Sequence, residues 1–249
     1  MVKISTSARS PLSPTLWPAD AFVWWRSLLF ALALVVASLA GAILFVLLWA
    51  AVFGKQNLSQ PSTVLLLIDQ CAAYLVALPL LLVTLPMLAR RSLRELGVRA
   101  PTGAEIGWGL AGTIGMYAVS EIIGTIEESA LHLKVQETAV ELLKTVHGPT
   151  ILLFAVLACV VAPIVEELTF RGFAFNALLR YMPVSLAAVI ASLLFGAAHG
   201  SWTALAPLAG AGLVLAAVYY RTGALSASMI AHAGFNAIGV AGYVFFKST

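Results

Sequence analysis

The chain has 249 residues, 61% of them hydrophobic and only 10% charged, with a formal net charge of +3. Its mean hydropathy is +0.98. Soluble domains carry about 25% charged and about 45–50% apolar residues, so this composition excludes a water-soluble globule, a disordered chain and a disulfide scaffold.

What remains is a polytopic membrane protein. A bilayer-spanning helix needs about 20 predominantly apolar residues. Residues 1–20 are rich in Ser and Pro and carry Lys3 and Arg9, which predicts an N-terminal cytoplasmic tail over 1–26 rather than a cleaved signal. One membrane domain follows over 27–249. Its apolar runs fall at 27–52, 64–89, 106–126, from 150 past 165, 184–200, 204–220 and 225–246. These runs are continuous and lack the alternation of a membrane barrel. The expected fold is an all-α polytopic membrane protein of about seven transmembrane helices, with room for an eighth, around an intramembrane polar site.

Between the third and fourth runs, residues 127–148 mix Glu127, Glu128, His132 and Lys144 with Leu131, Leu133 and Leu142. That pattern predicts an amphipathic interfacial helix on the outer side. All six tryptophans (Trp17, Trp24, Trp25, Trp49, Trp108 and Trp202) lie near predicted span ends, as an interfacial aromatic belt requires. Ten Lys and Arg residues fall on one side, including Arg90, Arg91, Arg94, Arg99, Arg180 and Arg221. Four fall on the other: Lys55, Lys134, Lys144 and Lys247. The positive-inside rule puts the N-terminus in the cytoplasm. Cys71 and Cys159 sit inside apolar runs and read as buried thiols. No basic patch with interleaved aromatics points to nucleic acid.

Ionisable groups within spans are costly, so each is a functional candidate. Of the 11 acidic residues none follows Glu167, so any carboxylate serving the later histidines must come from upstream. Glu166 and Glu167 lie just after Pro163 in the fourth run. Glu167 and Arg171 are four apart on one helical face and can pair, which leaves Glu166 free about 100° away. Phe195-Gly196-Ala197-Ala198-His199 ends the fifth run, and His232-Ala233-Gly234-Phe235-Asn236 lies inside the seventh. If the fourth helix turns near Pro183, Glu166 and His199 sit at nearly equal depth, about 22–24 Å from the turn. His232 can reach the same level. Such a set can hydrolyse an amide in two ways. A divalent metal such as zinc, held by Glu166, His199 and His232, can activate water. Alternatively Glu166 with His199 acts as general base, and His232 and Asn236 donate to the oxyanion.

The ordered trio Glu-Glu-x-x-x-Arg, Phe-x-x-x-His and His-x-x-x-Asn closely resembles the type II CAAX prenyl endopeptidases and the wider CPBP intramembrane proteases. The likeness covers about 150–244, and Leu93-Arg94-Glu95-Leu96-Gly97 adds to it. The resemblance implies a membrane-embedded endopeptidase, acting on a membrane-associated peptide or protein, in a bacterial cytoplasmic (inner) membrane. It implies Glu166 as the catalytic carboxylate, His199 as its partner, and His232 and Asn236 as oxyanion or metal residues. Glu167, Arg171 and Phe195 would support them. Two other readings compete. Asp69, Gln70 and Glu121 within spans suit a transporter, and a scaffold or immunity protein could keep the fold without cleaving its partner.

Overall fold

A computed structural model describes residues 20–53, 63–133 and 138–247. The tail residues Lys3, Arg9 and Trp17, and the loop residues Lys55, Lys134 and Glu137, lie outside the described residues. Eight helices carry the described chain: α1 (Trp24–Phe53), α2 (Thr63–Ala89), α3 (Gly103–Leu131), α4 (Thr138–Thr145), α5 (Pro149–Leu179), α6 (Val184–Ala198), α7 (Leu205–Thr222) and α8 (Leu225–Lys247). Among the described residues there is no strand.

Six of these helices (α1, α2, α3, α5, α7 and α8) are long and apolar enough to cross a membrane. The chain is an all-α polytopic membrane protein. Two sequence expectations change. The fifth predicted span is a helix of 15 residues, about 22 Å long and short of a bilayer core of about 30 Å. The segment 127–148 is not one interfacial helix. Its first part extends α3, which ends at a left-handed His132 whose N–H bonds the Glu127 carbonyl, and only the short α4 follows.

α1 packs along α2 and leaves one face to lipid, with Leu28, Leu32, Ile43 and Leu47 more than half exposed. α5 runs through the middle, against α2, α6, α7 and α8. Leu81 and Leu85 of α2, Leu168 and Phe175 of α5, Tyr219 of α7 and Leu225 of α8 are fully buried and form the main core. α6 and α7 make an antiparallel hairpin closed by residues 199–204. A Cβ at Gly196 would lie 2.6 Å from the Leu205 carbonyl oxygen, so only glycine lets the two helices meet this closely at the turn.

The segment between α2 and α3 locks one end of the bundle. Tyr219 donates to the Leu96 carbonyl at 3.3 Å, and the Ser226 N–H to the Gly97 carbonyl at 3.2 Å. Gly97 has φ +88°, and a Cβ there would collide with the Gly223 carbonyl. That explains the glycine closing Leu93-Arg94-Glu95-Leu96-Gly97. Arg99 pairs with Glu105, which also completes a capping box with Thr102 at the start of α3.

Candidate active site

α5 is not a uniform α-helix. It widens to π-type turns at Leu157–Val161 and at Leu168–Phe175, on either side of a short α-helical stretch, Ala162–Glu167. Pro163 accounts for the first. In the wide turn the Ala162 N–H bonds the Leu157 carbonyl, five residues back. The Ala158 carbonyl would next need the N–H of residue 163, which proline lacks. Asn236 on α8 supplies the missing donor, its Nδ2 lying 2.6 Å from the Ala158 oxygen. An orphaned carbonyl in an apolar interior is costly, so this bond also fastens α8 to α5.

The two adjacent glutamates have different surroundings. Glu167 is fully buried and its Oε1 accepts from Arg171 Nη1 at 2.8 Å and from His232 Nδ1 at 3.1 Å. Arg171, also buried, spends Nη2 on the Gly212 carbonyl of α7 at 2.9 Å. Its guanidinium lies 4.6 Å from the centre of the Phe195 ring. Phe195 in turn meets His199 and His232 edge-on, with centroids at 4.8 and 5.6 Å, and Phe170 at 5.3 Å. One aromatic ring thus sets the planes of both imidazoles beside the ion pair.

Glu166 points the other way, into a cavity of about 1230 Å³. Its Oε1 accepts from the Tyr74 hydroxyl of α2 at 3.0 Å. Its Oε2 has no hydrogen-bond partner and lies 3.9 Å from His199 Nε2 and 3.8 Å from His232 Nε2. The Phe195 carbonyl, 2.8 Å from His199 Nδ1, can only accept, so Nδ1 carries a proton and Nε2 is the nitrogen that faces Glu166. The depth argument from the sequence therefore holds: Glu166, His199 and His232 converge from three helices. Asn236 lines the same cavity, but one of its N–H groups is already engaged by Ala158.

α3 buttresses α8 beneath these groups. Thr113 donates to the Ala231 carbonyl at 3.1 Å, and Tyr117 to the Phe235 carbonyl at 3.2 Å, each just before a polar residue of the motif. Gly109 and Gly112 let α3 and α8 approach closely at Ile230 and Ala231. The cavity runs on between α1, α2 and α3 past Leu39, Gln70, Glu121 and Glu128. Glu128, though exposed, is among the residues that line it.

Tetrahedral zinc ligands at about 2.0–2.2 Å stand about 3.4 Å apart. The spacings around Glu166 Oε2 are wider, and among the described residues no three His, Cys, Asp or Glu side chains are grouped to hold a metal ion.

Sequence reasoning missed Tyr74. Its signal was present: Gln70 and Tyr74 are one turn apart in an otherwise apolar run, but neither belongs to the recognised motifs.

Comparison with known proteins agrees with the motifs. Residues 148–238 match the family model described as "Type II CAAX prenyl endopeptidase Rce1-like". The curated protein "Putative membrane peptidase YdiL" of Bacillus subtilis (strain 168) is 28% identical over 165 residues, 66% of this chain and 65% of that protein. The alignment thus spans just under two thirds of the relative's length. No solved structure matches. The segment that carries the three motifs is CAAX-protease-like in sequence.

Proposed function

We propose that this chain is a membrane-embedded endopeptidase that hydrolyses a peptide bond of a membrane-associated peptide or protein, with Glu166 as general base. The observation that carries this reading is Glu166 Oε2, buried without a hydrogen bond beside two imidazole nitrogens at the cavity wall. Oε2 is itself buried, so a water about 2.8 Å from both Glu166 Oε2 and His199 Nε2 would enter with a small turn of either side chain. With His199 neutral both groups accept, so such a water would donate both its protons and turn its lone pairs outward, toward a substrate carbonyl.

In the first step the water oxygen bonds the carbonyl carbon as its proton passes to Glu166. The carbonyl π pair moves onto oxygen. His232 holds one ring proton toward Glu167. With the second nitrogen also protonated, it would donate to that oxyanion. Glu166, Glu167, Arg171 and a doubly protonated His232 sum to zero charge, which suits an apolar interior. Asn236 has a second N–H for the same purpose. The C–N bond then breaks, and Glu166 returns its proton to the leaving amine.

The family likeness and the relative's name support the peptidase reading, and the positive-inside pattern supports a cytoplasmic N-terminus in a bacterial inner membrane. The test is proteolysis in liposomes against tagged membrane peptides. Glu166→Gln and His199→Ala should each lose about 10²–10⁴-fold in rate while still inserting and folding. Full cleavage by both variants refutes the reading. A Glu166→Gln variant that complements a deletion in cells points instead to a scaffold.

A further inference from the structure

We infer that Tyr74 is a positioning residue for Glu166, an inference that rests on the general-base reading. Tyr74 lies on α2, 92 positions before Glu166 and outside the matched segment 148–238. Its hydroxyl is 3.0 Å from Glu166 Oε1, and Gln70, one turn earlier on α2, hydrogen-bonds to that hydroxyl. Tyr74 and Gln70 both line the cavity.

The reason for a donor here is torsional. The terminal torsion of a glutamate is broad and roughly two-fold, so backbone and packing do not fix the carboxylate plane. Glu167 has its plane set by Arg171 and His232, which share one oxygen. Arg171, on the same helix, spends its hydrogen bonds on Glu167 and the Gly212 carbonyl instead of on Glu166. A phenol on Oε1 occupies one oxygen and turns the other, Oε2, toward His199 and His232. The bond is charge-assisted and part-buried, which makes it stronger than a neutral pair in water. Gln70 donates to the phenol oxygen, so the hydroxyl proton is left to point at Glu166. The relay Gln70–Tyr74–Glu166 thus ties α2 to the site.

Tyr74→Phe removes only the hydroxyl. With fluorescein-labelled casein as the probe in detergent micelles, kcat should fall about 10- to 100-fold while KM stays within about twofold. A residue that merely held the fold would move both, together with the thermal midpoint. A second measurement needs no substrate. The tyrosine C–O infrared band obtained as wild type minus Tyr74→Phe should shift when Glu166→Ala removes its acceptor.

A band that ignores Glu166→Ala overturns the inference. So does a wild-type kcat in Tyr74→Phe while Glu166→Gln is inactive, and in that case the general-base reading stands. If Glu166→Gln itself cleaves at the wild-type rate, that reading fails, and Tyr74 with it as a positioning residue.

Discussion

Arg171→Met is the sharpest test of the architecture behind the site. Arg171 and Glu167 are 1% and 0% exposed, so neither charge has water to fall back on. The substitution removes the 2.8 Å bond to Glu167, the 2.9 Å bond to the Gly212 carbonyl and the stacking on Phe195. Breaking one half of a buried ion pair costs about 3–5 kcal/mol, chiefly because the other charge is left uncompensated. The orphaned Gly212 carbonyl adds about 1–3 kcal/mol, though the two losses share atoms and do not sum. A total near 4 kcal/mol, about a thousandfold in the folded-to-unfolded ratio, is expected. The double variant Arg171→Met/Glu167→Leu also removes the stranded carboxylate and should recover about half of that loss. Steric trapping in bicelles measures these free energies. Stability within about 1 kcal/mol of wild type for Arg171→Met, or a double variant that loses the full sum of the singles, refutes the reasoning.

Other outcomes follow from the same structure. Asn236→Ala strands the Ala158 carbonyl and should cost about 1–3 kcal/mol. Adding Pro163→Ala restores a backbone N–H at that turn and should return part of this stability without returning activity. Gly196→Val drives a side chain into the Leu205 carbonyl and should cost about 1–3 kcal/mol or more, separating α6 from α7 and lowering the hydrolysis rate. Extensive dialysis against a chelator should leave the rate unchanged, and a loss restored by added zinc would refute this. In the segment between α2 and α3, the Ser92 N–H and hydroxyl hold the Glu95 carboxyl below the usual carboxylate range. Its depressed value means that the contribution is present above the ordinary range and lost as pH falls through the lowered value. Ser92→Ala should move the Glu95 titration upward in carbon-13 NMR.

How much of this was legible follows from what each signal encodes. The spans were readable because a run of about 20 apolar residues has few other uses. The Glu167–Arg171 pair was readable from four-residue spacing, and the common depth of Glu166 and His199 from the rise per residue and the turn at Pro183. The short α6 was not, because hydropathy registers an apolar run of 15 residues plus a flanking turn as a span. Nor was the reach of α3, since Glu127 and Glu128 look like the start of a separate interfacial helix until α3 is seen to run on through Leu131. Asn236 had the right place in the motif, but its bond to Ala158 depends on a wide turn that only Pro163 hints at. The second wide turn, Leu168–Phe175, has no proline, and no residue in it explains it.

Why two adjacent glutamates, when one would serve as a base? Consecutive helical residues diverge by about 100°, so the two carboxylates cannot share an environment. Glu167 faces the packed interior, where Arg171 neutralises it and His232 shares its oxygen. That fixed anion orients His232, which Glu166 alone could not do without leaving its own task. Glu166 lines the cavity with one oxygen tied and one without a hydrogen bond. A membrane interior holds a charge only when it is paired, and a base is useful only when it is not. Dividing the two requirements between neighbouring residues meets both, and it ties the reactivity of Glu166 to the buried pair beside it. Loss of Arg171 should therefore abolish hydrolysis even in a variant such as Arg171→Lys, which keeps a charge but cannot reach Glu167 and Gly212 together.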